Sequence, residues 1–222
     1  MDDKIVLICA TGRSGSTTLQ RIINSIPNSN ICGENQGAIN SLLEFYVRIK
    51  RTTVDYVPGH FKPATYEDII YKNVKPSWYN SYNFQQIVIM IKSMIINMFK
   101  NKDTTNLWGF KEIRYDYGNI HYIKEFKELF PQTKVIIQIR EDIKKQSQSD
   151  WHKYDKNALN YLNKLNTDLL QFYNSHKEYC YFTTFERMFD HNNIQKIFAF
   201  IGCEEHYNKE KVTCILNNNI KD

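Results

Sequence analysis

With 222 residues, 42% of them hydrophobic, the chain is long enough for one domain that buries roughly 70% of its unfolded surface without disulfide or metal staples. A net charge of +5, from 29 basic and 24 acidic residues, helps attract a polyanion but is too small and too scattered for a nucleic-acid surface. The opening MDDKIVLICATG is acidic and its apolar run is too short for a signal peptide, and the longest later run, Ile87 to Ile96, is broken by Lys92 and Ser93. A soluble, cytoplasmic protein with no membrane span is therefore expected. Cys9, Cys32, Cys180, Cys203 and Cys214 form no C-x-x-C pair and no metal-ligand spacing with the histidines, so they read as reduced thiols and no metal is expected.

The chain begins with its most informative stretch. Ile5 to Ala10 are continuously apolar, as in a strand buried on both faces of a parallel sheet. The turn Gly12-Arg13-Ser14-Gly15 follows at once. Ser16, Thr17 and Thr18 then open a helix whose apolar residues, Leu19, Ile22, Ile23 and Ile26, recur at three and four positions. Such a turn, with glycines that let the backbone curl and unpaired N–H groups at a helix start, suits a phosphate or sulfate; the hydroxyls add donors and Arg13 adds a charge. A Walker A loop needs four residues between its glycines and a following Lys-Ser or Lys-Thr, and this loop has neither.

Further on, Asn30 to Gly33 read as a second strand that ends at Glu34, and Ala38 to Lys50 as a helix with a basic end. Between Thr52 and Asn83 the periodicity fades among Pro58, Pro63, Pro76 and many aromatics, an irregular insertion suited either to an acceptor lid or to an aromatic loop packed on the sheet. Phe84 to Phe99 is helical. Leu107 to Phe110 is a third strand running into Lys111, Glu112 and Arg114. A helix from Asn119 to Phe130, a fourth strand from Lys134 to Ile139 ending in Arg140, helices over Ile143 to Trp151 and Leu159 to Tyr173, a fifth strand from Tyr179 to Thr183, and short helices over Phe185–Phe189, Ile194–Ile201 and Lys209–Asn217 complete the chain. Strands alternating with helices give a three-layer α/β domain over residues 1–222, with a central parallel sheet of about five strands.

Four stretches, in order and at strand ends, resemble the sulfotransferases that use 3′-phosphoadenosine 5′-phosphosulfate (PAPS), in particular their Golgi-type and bacterial branches with a P-loop-like fold: TGRSGSTTL, CGENQG, WGFKEIR and VIIQIREDIKKQSQSDW. The resemblance covers most of Lys4 to Trp151. It implies that Gly12, Arg13, Ser14, Gly15, Ser16, Thr17 and Thr18 hold the 5′-phosphosulfate and that Arg140 and a serine hold the 3′-phosphate. The family spacing puts that serine at position 148, which is Gln here, with Ser147 and Ser149 on either side. Both stay open; the Asp-Trp after Ser149 resembles the ending in some bacterial relatives.

PAPS carries about four negative charges near neutrality, so two separated cationic sites are needed. Sulfuryl transfer, like phosphoryl transfer, passes through a loose in-line transition state, in which the protein mainly positions groups and neutralises charge on the leaving phosphate. Arg13 and Lys111 are the candidates for that role. Glu34, like the glutamate of the tyrosine-sulfating branch, is the candidate base for a hydroxyl or amine acceptor, with His60 second. Plainer readings exist for each. Lys111 could pair with Glu112, Arg140 with Glu141 or Asp142, and Glu34 could merely favour a helix dipole. For the whole chain the alternatives are a kinase with a degenerate P-loop and a sulfotransferase-like fold that only binds.

Overall fold

In the computed structural model of the chain, residues 3–53, 67, 71, 80, 82–115, 118–149 and 152–218 are described. In chain order they form β1 (Lys4–Ala10), α1 (Ser16–Ile23), β2 (Ser29–Cys32), α2 (Ala38–Thr52), α3 (Phe84–Phe99), β3 (Leu107–Glu112), α4 (Tyr122–Leu129), β4 (Lys134–Ile139), α5 (Ile143–Ser147), α6 (Ala158–Ser175), β5 (Cys180–Thr184), α7 (His191–Phe200) and α8 (Lys209–Asn217). The five strands pair in parallel in the order β2-β3-β1-β4-β5. Because each strand is parallel to its neighbours, Ala10, Cys32, Glu112 and Ile139 all end at one edge, where open α/β sheets hold their ligands.

The unbroken apolar run of β1 makes it the central strand. Ile5 to Ala10 are each at most 1% exposed, and side chains alternate between faces. Ile5, Leu7 and Cys9 join Trp108, Phe110, Val135 and Ile137 under α2, α3, α4 and α6. Val6 and Ile8 join Leu107 and Ile136 under α1, α7 and α8. Each large apolar side chain so enclosed contributes about 1.5–3 kcal/mol. Gly109 sets how closely β1 and β3 approach: it faces Val6 in the register, and a Cβ there would stand 1.8 Å from the Val6 carbonyl oxygen.

The expected elements lie within a few residues of where the apolar periodicity placed them, with one instructive difference. The helix expected over Ile143 to Trp151 ends at Ser147. Asp142 caps its start by accepting from the Lys145 N–H at 2.9 Å, and the Ser147 hydroxyl turns back to the Lys144 carbonyl at 2.8 Å. Asp150 and Trp151 lie outside the described residues, as does most of the insertion expected over 52–83, His60 included. The ends of that insertion meet: Thr53 bridges Asn80, and the Asn80 N–H donates to the Thr52 carbonyl at 2.7 Å.

Among the described residues no helix is long and apolar enough to cross a membrane. Cys9, Cys180 and Cys203 are buried free thiols, whereas Cys214 is exposed on the outer side of α8. Burial pushes the Cys9 thiol far up, against a smaller opposing effect of its contact with Tyr115, so it is chemically inert.

Candidate active site

The turn after β1 is built by side chains that bind its carbonyl groups. Ser14 Oγ donates to the Thr11 carbonyl at 2.7 Å, Gln146 Nε2 to the Gly12 carbonyl at 2.5 Å, Arg140 Nη1 to the Arg13 carbonyl at 3.3 Å and Gln138 Nε2 to the Ser14 carbonyl at 2.8 Å. Four consecutive acceptors are thus held against the protein. Of the first-turn N–H groups of α1, that of Thr18 donates back to the Gly15 carbonyl at 3.0 Å, whereas those of Ser16 and Thr17 precede the helix's own ladder, an arrangement that suits an anion. Arg13 (φ 62°) and Gly15 (φ 75°) both adopt the left-handed conformation that makes so sharp a turn. Arg13 accepts roughly 1–2 kcal/mol of strain there, a common feature of ligand clamps. Gly15 is required twice over, since a Cβ would also stand 2.4 Å from the Phe185 ring.

A cleft of about 230 Å³ opens on this turn. Gly12, Arg13, Gly15, Ser16, Thr17 and Thr18 line it, and Glu34 and Lys111 join them, as expected; Arg21 and Ile113 line it too. Ser14 does not. Its side chain is fully buried and committed to Thr11, so it shapes the turn from behind.

Lys111 does not pair with Glu112. Neighbouring residues of a strand face opposite sides, and Lys111 points towards α1, with its Nζ 2.6 Å from Glu34 Oε1 and 3.5 Å from Thr17 Oγ1. Nor does Glu34 serve a helix dipole, because α2 begins only at Ala38, after a left-handed Gly37. Its second oxygen, Oε2, lies 3.1 Å from Arg114 Nη1, which also meets Glu112 Oε1 at 2.8 Å. Glu112 is wholly buried and accepts from the N–H groups of Ile113 and Arg114 at Oε1 and of Asn35 and Gly37 at Oε2. Burial opposes the charge of Arg114, but hydrogen bonds and attraction to Glu112 and Glu34 outweigh it and hold the guanidinium's pKa above the ordinary arginine value.

On the other side of β1, beyond β4, lies the second cationic position. Among the described residues Arg140 has no carboxylate partner: Glu141 accepts from the Thr184 hydroxyl at 2.9 Å and Asp142 caps α5. Its guanidinium sits 4.6 Å over the Phe185 ring, a favourable cation–π distance. Of the two serines, Ser147 is occupied with Lys144, whereas Ser149 Oγ is buried with no partner among the described residues. Arg140 Nε and His152 Nε2 are likewise buried without partners. Burial lowers the pKa of His152; Asp155 raises it and the charge of Arg13 lowers it further.

Arg114, Glu112, Gln138, Gln146 and His152 were not legible as site residues, although Gln138 left a signal as the one polar residue inside the apolar run VIIQI. Arg114 closes the WGFKEIR stretch, but nothing in that stretch says that it reaches back to Glu34.

A model described as the sulfotransferase family matches residues 6–206. No curated protein sequence matches the chain closely enough to count as a relative. Among solved structures, the sulfotransferase domain of the Synechococcus PCC 7002 olefin synthase is similar at 16% identity and a TM-score of 0.51, over 96% of this chain and 81% of that one. The sulfotransferase domain of the curacin biosynthetic pathway is similar at 14% identity and a TM-score of 0.51, over 95% and 76%. A sulfotransferase from Alicyclobacillus acidocaldarius is similar at 11% identity and a TM-score of 0.51, over 91% and 81%. At such identities these likenesses speak to the fold.

Proposed function

The chain belongs to the sulfotransferase family, and from that premise we propose that it moves a sulfuryl group from PAPS to a hydroxyl or amine acceptor. The observation that carries this reading is the Lys111–Glu34 pair beside the turn, 2.6 Å apart, with Lys111 Nζ 3.5 Å from Thr17 Oγ1. A cation for a leaving phosphate and a carboxylate for an acceptor proton stand side by side there. Among the described residues Arg140 Nε, Ser149 Oγ and His152 Nε2 are buried without partners, which supports a second anion site, as a donor with two phosphates on one ribose requires.

When bound, the donor supplies a sulfuryl group whose S–O bond to the 5′-phosphate breaks as a new bond from the acceptor to sulfur forms, the electron pair leaving on the phosphate. The chain's own residues do the rest. The N–H groups of Ser16 and Thr17 and the hydroxyls of Ser16, Thr17 and Thr18 hold the 5′ end, with Arg13 adding charge. Arg140 and Ser149 hold the 3′-phosphate. Lys111 and Arg13 neutralise negative charge as it grows on the leaving oxygen. Glu34 takes the acceptor's proton on Oε1.

A thermal-shift comparison with adenosine 3′,5′-bisphosphate, ATP and GTP tests the donor site, followed by radiolabelled sulfate transfer to phenolic, aliphatic and amine acceptors. Stabilisation by the bisphosphate together with transfer is expected. Stabilisation by ATP with magnesium alone overturns the reading, and bisphosphate binding without transfer to any acceptor leaves a binding protein in its place.

A further inference from the structure

Each oxygen of Glu34 has its own cation, and the two cations differ in freedom. Lys111 meets Oε1 at 2.6 Å and lies 3.5 Å from Thr17 Oγ1 on the first turn of α1. A small rotation of its flexible stem carries the ammonium from Glu34 to an anion seated on that turn. Arg114, at Oε2, has no such latitude, because the same Nη1 is held by Glu112 Oε1 at 2.8 Å. Glu112 in turn is wholly buried. Two of the backbone N–H groups it accepts from, those of Asn35 and Gly37, belong to the turn that follows Glu34. One enclosed carboxylate therefore fixes both the backbone beside Glu34 and the guanidinium that grips its side chain.

Building on the sulfotransferase reading above, we infer that Arg114 is a positioning residue that keeps Glu34 Oε2 in place when Lys111 turns to the donor, so that Oε1 is uncovered as the base only once the donor is bound. Donor and base then compete for one lysine. With the donor absent, Lys111 covers Oε1; with it present, the anionic 5′ end seated on the turn draws Lys111 from Glu34, and Arg114 keeps the released carboxylate from following its former partner. Loss of Arg114 leaves Glu34 with a single cation and tightens its hold on Lys111, which makes donor binding harder and leaves the base poorly aimed.

The test is a double-mutant cycle read by calorimetric binding of adenosine 3′,5′-bisphosphate, a readout that needs no turnover. Arg114→Gln is expected to weaken binding roughly fivefold in the otherwise unaltered chain and less than about twofold in the Glu34→Gln background. Glu34→Gln alone is expected to tighten binding, because it frees Lys111. In transfer assays Arg114→Gln is expected to lower kcat about 10- to 100-fold with little change in acceptor KM, and Arg114→Lys to recover part of the loss. Should Arg114→Gln fail to fold, Arg114→Lys replaces it in the same cycle, with the same inequality expected. An equal loss in both backgrounds, or none in either, overturns the role of Arg114. An unaltered protein that neither binds the bisphosphate nor transfers sulfate overturns the underlying reading and takes this inference with it.

Discussion

Arg140 donates from Nη1 to the main-chain carbonyl of Arg13 at 3.3 Å. The cation at the end of β4 is therefore tied to the strained residue of the turn that follows β1, and the two proposed anion positions are joined by a direct bond.

Arg140→Ala is expected to weaken adenosine 3′,5′-bisphosphate binding about 10- to 100-fold, the worth of a charge-assisted hydrogen bond, plus whatever the turn loses when the Arg13 carbonyl is released. Arg140→Lys, which keeps the charge without the planar fork, should recover only part. Calorimetry at fixed ionic strength measures both.

Glu34→Gln is expected to lower kcat for sulfate transfer about 10²- to 10⁴-fold, the usual range for loss of a general base. The bisphosphate should still bind. Activity within a few-fold of the unaltered protein assigns proton removal elsewhere, and steady-state kinetics with binding in parallel decide the matter.

Gly109→Ala places a methyl group where the Val6 carbonyl oxygen stands, 1.8 Å away. Central strands β1 and β3 must part to admit it, at a cost of about 3 kcal/mol. Urea denaturation should show that loss, or the protein should fail to fold.

His152 makes a pH-dependent contribution of known sign. Burial holds its native pKa below the ordinary 6.5, so the unfolded chain binds the proton more readily. The contribution is fully present above about pH 6.5 and is lost as pH falls towards and through the lower native value. Denaturation midpoints against pH should show this slope, and His152→Asn should flatten it. A 3′-phosphate beside the ring raises the pKa of His152, so His152→Asn should change the buffer dependence of the bisphosphate binding enthalpy.

Apolar periodicity carried much of the architecture. The run Ile5 to Ala10 announced a central strand and Phe84 to Phe99 a helix, because burial on two faces or one leaves its own spacing. Chemistry-bearing residues at strand ends were equally visible: Arg13, Glu34, Lys111 and Arg140 lie within three residues of the ends of four expected strands. The serine was not decidable. Ser147 and Ser149 differ only in where α5 stops, and that depends on Asp142 capping its start and on Ser147 bonding back to Lys144.

The order of residues alone determined the parallel sheet, the tight turn after β1 and the kinds of side chain brought to the sheet's edge, since these follow from local spacing and from the shared direction of parallel strands. Pairing was decided only by the folded chain. Lys111 meets Glu34 and not the adjacent Glu112, and Arg114 joins two carboxylates 78 positions apart. The reason is that β2 and β3 lie side by side despite the long insertion between them, and the pleat turns neighbouring side chains to opposite faces.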